Sequence, residues 1–355
     1  AFILGLVLAG LILRDAYGGF ELIPPPWLST SEAALYCVRL AVGGSLVGFG
    51  TSMGNGCTSG HGLTGLARLS KRSWVGVPTF MAAAMVTATM LSTSSALPPF
   101  FAFGAEVPRW SVAALWSMCT LAVLLAAAGV MLGARARLGE EATRRLRAST
   151  ELASGLAFGT GLVASGMAKP SKVAAFLDLG SGAWDPSLAF VMGGGVAVTF
   201  VFYQVLERGG FAEPLLGGSF ALPPKTKAVD ATLVVGCTLF GTGWGVCGMC
   251  PGPIWVSVGA VPSWQLLFAV VGMLSGMRAW VALQPRFTAA AEKPVASPAG
   301  VGGTAQSNPN VESKLDLEAQ TEDTDTAVSA PPVPTFAVSA VAAPQASSGL
   351  TSPAM

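Results

Sequence analysis

The residues VGGSLVGFGTSMGNGC occupy positions 42–57, and VGCTLFGTGWGVCGMC occupy positions 235–250. The two stretches align at one constant offset and without a gap. Glycine is frequent in membrane helices, so shared glycines alone would be weak evidence of a repeat. A cysteine ends both stretches at the same register, however, and the sequence therefore predicts an internal repeat. The matched pairs are Val42 with Val235, Gly43 with Gly236, Gly48 with Gly241, Gly50 with Gly243 and Cys57 with Cys250.

The composition around these stretches is that of a membrane protein. Of the 355 residues, 52% are hydrophobic and 11% are charged, and the mean hydropathy is +0.60. Soluble domains average about 25% charged residues. The formal net charge is +1, and no polar domain carries clustered basic residues, which excludes nucleic acid as a partner. We predict a multi-pass integral membrane protein whose partner is the lipid bilayer, in a plasma or an organellar membrane.

Long apolar runs predict the membrane spans, because a spanning helix needs about 20 residues. The apolar residues 1–13 are too short to span and are interpreted as a trimmed helix. The composition predicts a first transmembrane half (1–133), a basic cytoplasmic-side linker (134–149), a second transmembrane half (150–284) and a disordered tail (285–355). The predicted spans are 34–51, 74–92, 110–133, 150–167, 186–206, 229–246 and 264–284.

Three further runs are apolar but rich in Gly and Pro and too short to cross: 52–66, 167–179 and 247–262. Irregular backbone at membrane depth persists only where it is buried in protein or lines a wet cavity. We therefore predict that these runs are re-entrant helical segments around a pathway.

Basic residues predict the orientation of the spans. An even number of predicted spans separates three basic clusters, so all three fall on one side, the cytoplasmic side or its organellar equivalent. The span ending near Thr51 then runs toward this side, and the span ending near Val246 runs away from it. The predicted fold is an all-α, polytopic helical membrane protein with two inverted-topology repeats and re-entrant helical loops. The clusters are Arg68, Lys71 and Arg72; Arg135, Arg137, Arg144, Arg145 and Arg147; and Arg208, Lys225 and Lys227.

The segment GNGCTSGHG, at positions 54–62, suits the binding of a small anion. Glycines allow close approach of the backbone to a ligand, and N–H groups at the start of a following helix would face the anion. The only histidine of the chain either braces this segment or contacts substrate. The residues expected to line the pathway here are Gly56, Cys57, Thr58, Ser59, Gly60 and His61.

The second half repeats the pattern as GMCPGP, in which Pro251 can open a short helix. Cys250 is expected to offer a neutral thiol that suits soft sulfur. Cys247 and Cys250 form a CxxC pair, for which redox activity and metal binding are alternatives. One histidine and no second close cysteine pair leave too few metal ligands, so we expect neither a metal nor another cofactor. Lys169 is a further pathway candidate, either attracting an anion to the vestibule or extending to the membrane interface.

GFGTSMGNGCTSGHGLTGLARLSKRS resembles the signature of the YeeE/YedE sulfur transport family. The runs GLVASGMAKPSKVAAFLDLGSGAWDPSLAFVMGGG and FGTGWGVCGMCPGP resemble its second half, which in bacteria often occurs as a separate small protein. The resemblance covers roughly 40–280, with both halves fused in one chain.

The resemblance implies an importer of thiosulfate or a related small sulfur anion, whose cysteines relay the substrate. By matching motif, Cys57 and Cys250 are the relay positions. Members often carry a further cysteine early in the chain, and none is matched here before Cys37. Either the relay uses two thiols, or a missing N-terminal segment holds the third.

We expect a transporter and not an enzyme. Two other functions remain as alternatives. One is a membrane thiol enzyme, a sulfurtransferase or disulfide exchanger that uses the CxxC pair; the other is a structural protein with glycine-packed helices. The sequence is poor in bases or cations that would activate a thiolate. A sulfur-processing enzyme on the cytoplasmic side is a candidate partner of the transporter.

Overall fold

A computed structural model describes residues 1–14, 30–93, 139–182, 184–210, 222, 228–260 and 263–291. Within these ranges all regular structure is helical, as predicted. Two π-helices are present, π1 (Thr58–Gly65) and π2 (Leu206–Gly210). The α-helices are α1 (Phe2–Leu13), α2 (Thr30–Gly54), α3 (Lys71–Thr93), α4 (Glu140–Ala164), α5 (Pro170–Leu177), α6 (Ser187–Val205), α7 (Ala231–Cys247), α8 (Pro251–Ala260) and α9 (Trp264–Ala291).

Five helical stretches in the described part of the chain are long and apolar enough to cross a membrane. Each coincides with a predicted span. The fourth stretch is interrupted at Gly248, where α7 ends and α8 soon begins. The stretches are Thr30–Gly54, Lys71–Thr93, Ser187–Arg208, Ala231–Ala260 and Trp264–Pro285.

The other two predicted spans have different outcomes. The span at 110–133 lies outside the described residues. The span at 150–167 corresponds to α4, which is not one of the five stretches, because its N-terminal part is highly charged. The charged residues there are Glu140, Glu141, Arg144, Arg145 and Arg147.

The predicted domain boundaries need two adjustments. The basic linker at 134–149 is helical from Glu140 onward, since α4 begins there. The tail was predicted to begin at 285, but α9 continues to Ala291 with Pro285 inside it. Proline usually terminates a helix, but α9 continues beyond Pro285. The remainder of the predicted tail lies outside the described residues.

Each of the three runs predicted as re-entrant contains a short helix. These helices are π1, α5 and α8, and each follows a few non-helical residues. Left-handed backbone precedes π1 at Asn55 (φ 57°) and precedes α8 at Gly248 (φ 67°). The chain therefore leaves the long helices α2 and α7 through the same kind of turn.

The core forms around α2 and α7. These two helices pack against each other, α9 packs on α2, and α3 packs on α7. Close approach depends on glycines: a Cβ on Gly50 would collide with the backbone of Phe240, and one on Gly243 with the backbone of Val47. Small residues at helix interfaces are how membrane helices gain packing contacts. On the other flank, α1 packs against α4 and α8.

Charged side chains join the starts of α3 and α7 to the end of α6. Arg68 forms an ion pair with Glu207 (Nε–Oε1 3.1 Å), and both side chains are largely buried. Arg72 forms an ion pair with Asp230 (Nη1–Oδ1 3.1 Å) just before α7. The basic cluster at the start of α3 therefore lies beside π2, which contains Arg208. This proximity is as expected if the first and third basic clusters share one side.

Candidate substrate-binding site

A cavity of about 300 Å³ lies between the two short helices that follow α2 and α7. This space is large enough to admit a small anion. The segment around π1, the C-terminal part of α4, one face of α6 and the start of α8 line it. The lining residues are Cys57, Thr58, Ser59, Leu63, Ala157, Phe158, Gly161, Leu162, Ser165, Met167, Val191, Met192, Gly195, Cys250, Gly252 and Pro253.

Cys57 is the partly exposed thiol of this cavity. It is the last extended residue before π1, and its Sγ lies 3.2 Å from Ser59 Oγ. The backbone N–H of His61 donates to the Cys57 carbonyl at 2.9 Å and so closes the first turn after the cysteine. The thiol is therefore held at the start of a short helix, with a hydroxyl beside it.

Cys250 is the buried thiol of the same cavity. Its side chain is only 4% exposed, and Thr58 Oγ1 donates a hydrogen bond to its Sγ at 3.5 Å. The N–H of Ile254 donates to the Cys250 carbonyl at 3.1 Å, as that of His61 does after Cys57. The two cysteines that the sequence singled out lie 193 residues apart in the chain (250 minus 57) and line one cavity.

His61 is buried next to the site and is not among the cavity-lining residues. Its Nδ1 lies 3.1 Å from Ser73 Oγ, and its Nε2 lies 3.1 Å from the Gly54 carbonyl oxygen. A Cβ on Gly56 would come within 2.6 Å of the imidazole ring, so glycine is needed there to admit the histidine. Of the two roles predicted for His61, these contacts match the bracing role.

Four other predicted site residues also lie outside the cavity lining: Gly56, Gly60, Cys247 and Lys169. Gly60 is exposed, and a Cβ there would meet nothing within 4 Å. Cys247 is fully buried at the end of α7, and its Sγ donates to the Met249 carbonyl at 3.4 Å. Lys169 precedes α5 as its N-cap. The CxxC pair therefore presents one thiol, that of Cys250, to the cavity.

The structure adds residues that sequence reasoning did not select. Met167 and Met192 bring two thioethers to the cavity, and Ser165 brings a hydroxyl. Met167 lies within the run 167–179, which the sequence predicts to be re-entrant around the pathway. That prediction could have marked Met167 as a lining residue. Met192 lies on a span, and its sequence position gives no indication that it faces a cavity.

Neither a disulfide nor a metal cluster occurs in the described part of the chain. The cysteines there, at 37, 57, 237, 247 and 250, are all free. In the same ranges, no group of three or more His, Cys, Asp or Glu side chains is arranged to hold a metal ion. The chemistry available at the cavity is that of thiols, thioethers, hydroxyls and backbone groups.

Two family models and curated relatives match parts of the chain. Residues 1–86 match the sulphur transport family, and residues 147–291 match a family of unknown function, DUF6691. A probable transporter of Xylella fastidiosa (strain Temecula1 / ATCC 700964) is 45% identical over 132 residues, which is 37% of this chain and 86% of that protein. A further probable transporter of that strain is 43% identical over 90 residues, covering 25% of this chain and 61% of that protein. No solved structure matches the chain significantly.

The spanning helices and these matches define a multi-pass integral membrane protein. The chain belongs to the sulphur transport (YeeE/YedE) family.

Proposed function

We propose that this protein imports thiosulfate, or a related small sulfur-containing anion, along a pathway that passes between Cys57 and Cys250. The observation that carries the proposal is the shared cavity: in a member of a sulfur transport family, two thiols from distant parts of the chain line one small space. The cavity is large enough to admit a small anion.

We further propose that the pathway is built from two repeats. In support, structural boundaries recur at a spacing of 193 residues, the offset of the aligned stretches (235 minus 42). The three pairs of boundaries are the ends of α2 and α7, the starts of π1 and α8, and the starts of α3 and α9. The corresponding residues are Gly54 and Cys247, Thr58 and Pro251, and Lys71 and Trp264.

Packing contacts recur at the same spacing, which supports the repeat more strongly than the boundaries do. A Cβ on Gly48 would meet the Met273 carbonyl oxygen, and one on Gly241 would meet the Phe80 carbonyl oxygen. The two glycines are 193 residues apart (241 minus 48), and so are the two residues that they face (273 minus 80). The helix after each short segment therefore packs on the long helix of the other half in the same way.

The two repeats run in opposite directions at their interface. Gly54, at the end of α2, lies beside Gly236 near the start of α7, whereas Gly43 lies beside Cys247 at the end of α7. Equivalent helices are therefore antiparallel, as inverted-topology repeats require.

The same contacts support re-entrance of the cysteine segments. Gly54 and Gly43 are separated by about 16 Å along α2 at about 1.5 Å per residue. The ends of α2 and α7 are therefore well apart, yet Thr58 and Cys250, a few residues further on, are within hydrogen-bonding distance. This closeness supports segments that turn back toward the middle of the helix pair.

The chemistry of the cavity suits transient binding of a sulfur anion. The hydroxyl of Ser59 and the N–H groups at the start of π1 can donate to anion oxygens, while the hydroxyl of Thr58 donates to Cys250 Sγ. The thiols of Cys57 and Cys250 offer polarizable contact to a sulfur atom. No fixed positive charge lines the described cavity, so nothing there would trap the anion.

The test is uptake of labelled thiosulfate into cells that lack their own thiosulfate importers. Expression of the protein is expected to confer uptake, and Cys57→Ala and Cys250→Ala are expected to abolish it. Cys37→Ala is the matched control, because Cys37 is buried outside the cavity. Normal uptake by both pathway variants, at equal amounts of protein in the membrane, would contradict the proposal.

A further inference from the structure

We propose that Met167 and Met192 determine the specificity of this site, by selecting anions with a terminal sulfur over all-oxygen anions such as sulfate. The inference rests on the proposed function and adds the basis of selection. The two side chains are called the thioether face of the cavity. They line the same cavity as the two cysteines.

Charge cannot provide this selection. Thiosulfate and sulfate carry the same charge and differ at one atom, which is sulfur in one and oxygen in the other. No Lys, Arg, His, Asp or Glu is found among the described residues that line the cavity. Discrimination must therefore come from the groups that surround the atom that differs.

Met167 is held in place by a tight turn between α4 and α5. Gly166 adopts a positive φ of 75°, and the N–H of Ala168 donates to the Leu162 carbonyl at 3.2 Å. The N–H of Met167 itself lies 3.4 Å from Ser165 Oγ. The Met167 side chain is 8% exposed, so the turn holds it inside the protein.

Met192 is carried by α6, which is fastened to the segment that bears Cys57. Thr199 Oγ1 lies 2.9 Å from the Leu63 carbonyl oxygen, and it is also within hydrogen-bonding distance of the Gly195 and Val196 carbonyls of its own helix. Gln204 Nε2 donates to the Ala67 carbonyl at 3.3 Å. The Met192 Cε lies 3.9 Å from where a Cβ of Gly62 would be. The thioether is therefore positioned against the cysteine segment and not left free on a lipid-facing helix.

The cavity consequently has two kinds of surface. Thr58, Ser59 and the thiols provide hydrogen-bonding groups, and the thioether face provides polarizable surface without a donor. A terminal sulfur tolerates such a surface. An oxygen placed there would lose its bonds to water with no replacement, which costs free energy. The arrangement selects anions with one soft end and one oxygen-rich end.

The experiment compares two kinds of substitution on the thioether face. Met192→Gln keeps the approximate size but adds N–H donors, and it is expected to reduce the preference for thiosulfate over sulfate by on the order of tenfold. Met192→Leu keeps an apolar surface and removes the sulfur; it is expected to raise the KM for thiosulfate about threefold while sulfate still fails to compete. The same changes at Met167 are expected to act in the same directions.

The measurement is uptake of labelled thiosulfate with increasing unlabelled sulfate. Met85→Gln is the matched control, since Met85 is partly buried in α3 outside the cavity. If the Gln variants do not fold, the KM of the Leu variants carries the test.

Two failures can be told apart. If the unmodified protein transports thiosulfate but the Gln and Leu variants keep its preference and KM, the thioether face has no selective role and this inference is wrong. If the unmodified protein transports no thiosulfate, the proposed function fails and the inference falls with it.

Discussion

The segments that follow α2 and α7 share a backbone plan and differ in chemistry. Both leave a long helix through a left-handed residue, pass through a cysteine and enter a short helix. After Cys57 the residues are TSGH and the helix is π1; after Cys250 they are PGPI and the helix is α8. Cys57 is partly exposed beside a hydroxyl, whereas Cys250 is buried. The comparison shows that the repeated positions fix where the thiols lie, and that the hydroxyls of the first segment serve both of them: Ser59 lies beside Cys57, and Thr58 donates to Cys250.

The π-helical form of the first segment has a local cause. Gly60 and Gly62 weaken the regular helix, and π-helical turns are frequent at functional sites. Pro251 and Pro253 in the second segment instead lie in the first turn of α8, where a missing N–H does no harm. The first segment is therefore the polar one, and the second is apolar and begins with prolines.

The largest effect is expected when each of the two cavity cysteines is replaced in turn. Cys57→Ser and Cys250→Ser keep a small hydrogen-bonding group but remove the polarizable sulfur, so we expect each to lower thiosulfate uptake by on the order of tenfold or more. Uptake into importer-deficient cells measures this. A large loss for Cys57→Ser with normal uptake for Cys250→Ser would mean that the second segment is only a scaffold.

A smaller effect tests the equivalence of the two halves. Gly50→Ala and Gly243→Ala place a methyl group against the facing backbone, so each is expected to lower the free energy of unfolding by about 1–3 kcal/mol. Thermal unfolding of the purified protein in detergent checks this. Gly193→Ala on α6 is the control, because a Cβ there meets nothing within 4 Å and stability should not fall. Clearly unequal losses at 50 and 243 would argue against equivalent halves.

The smallest effect concerns the hydroxyls beside the thiols. Thr58→Val removes the donor to Cys250 Sγ, and Ser59→Ala removes the hydroxyl beside Cys57 Sγ. Each loss corresponds to about 0.5–1.5 kcal/mol, so the KM for thiosulfate is expected to rise about two- to tenfold. Concentration-dependent uptake gives the value. An unchanged KM in both variants would leave these hydroxyls without a role in binding.

Much of the architecture could be predicted from the sequence, because hydrophobic length and glycine spacing are local signals. The aligned stretches at 42–57 and 235–250 led to the cysteines, and Cys57, Thr58, Ser59 and Cys250 do line one cavity. The membrane class followed from composition, and five predicted spans coincide with helices that can cross a bilayer.

The rest depends on tertiary packing, which no local pattern encodes. Met192 faces the cavity only because α6 is fastened beside π1 through Thr199 and Gln204. Conversely, Cys247 and Lys169 lie close in sequence to lining residues, and the cavity does not include them. Helix ends were misjudged where a proline lies inside a helix, as Pro285 does in α9.

The most direct test of the central claim is whether thiosulfate occupies the space between the two thiols. Alkylation of the protein in membranes, followed residue by residue with mass spectrometry, gives the modification rate of Cys57 with thiosulfate, with sulfate and with neither. We predict that Cys57 reacts faster than Cys250, that thiosulfate slows its modification severalfold, and that sulfate has no effect. A rate for Cys57 that thiosulfate leaves unchanged, in protein that transports thiosulfate, would contradict the account.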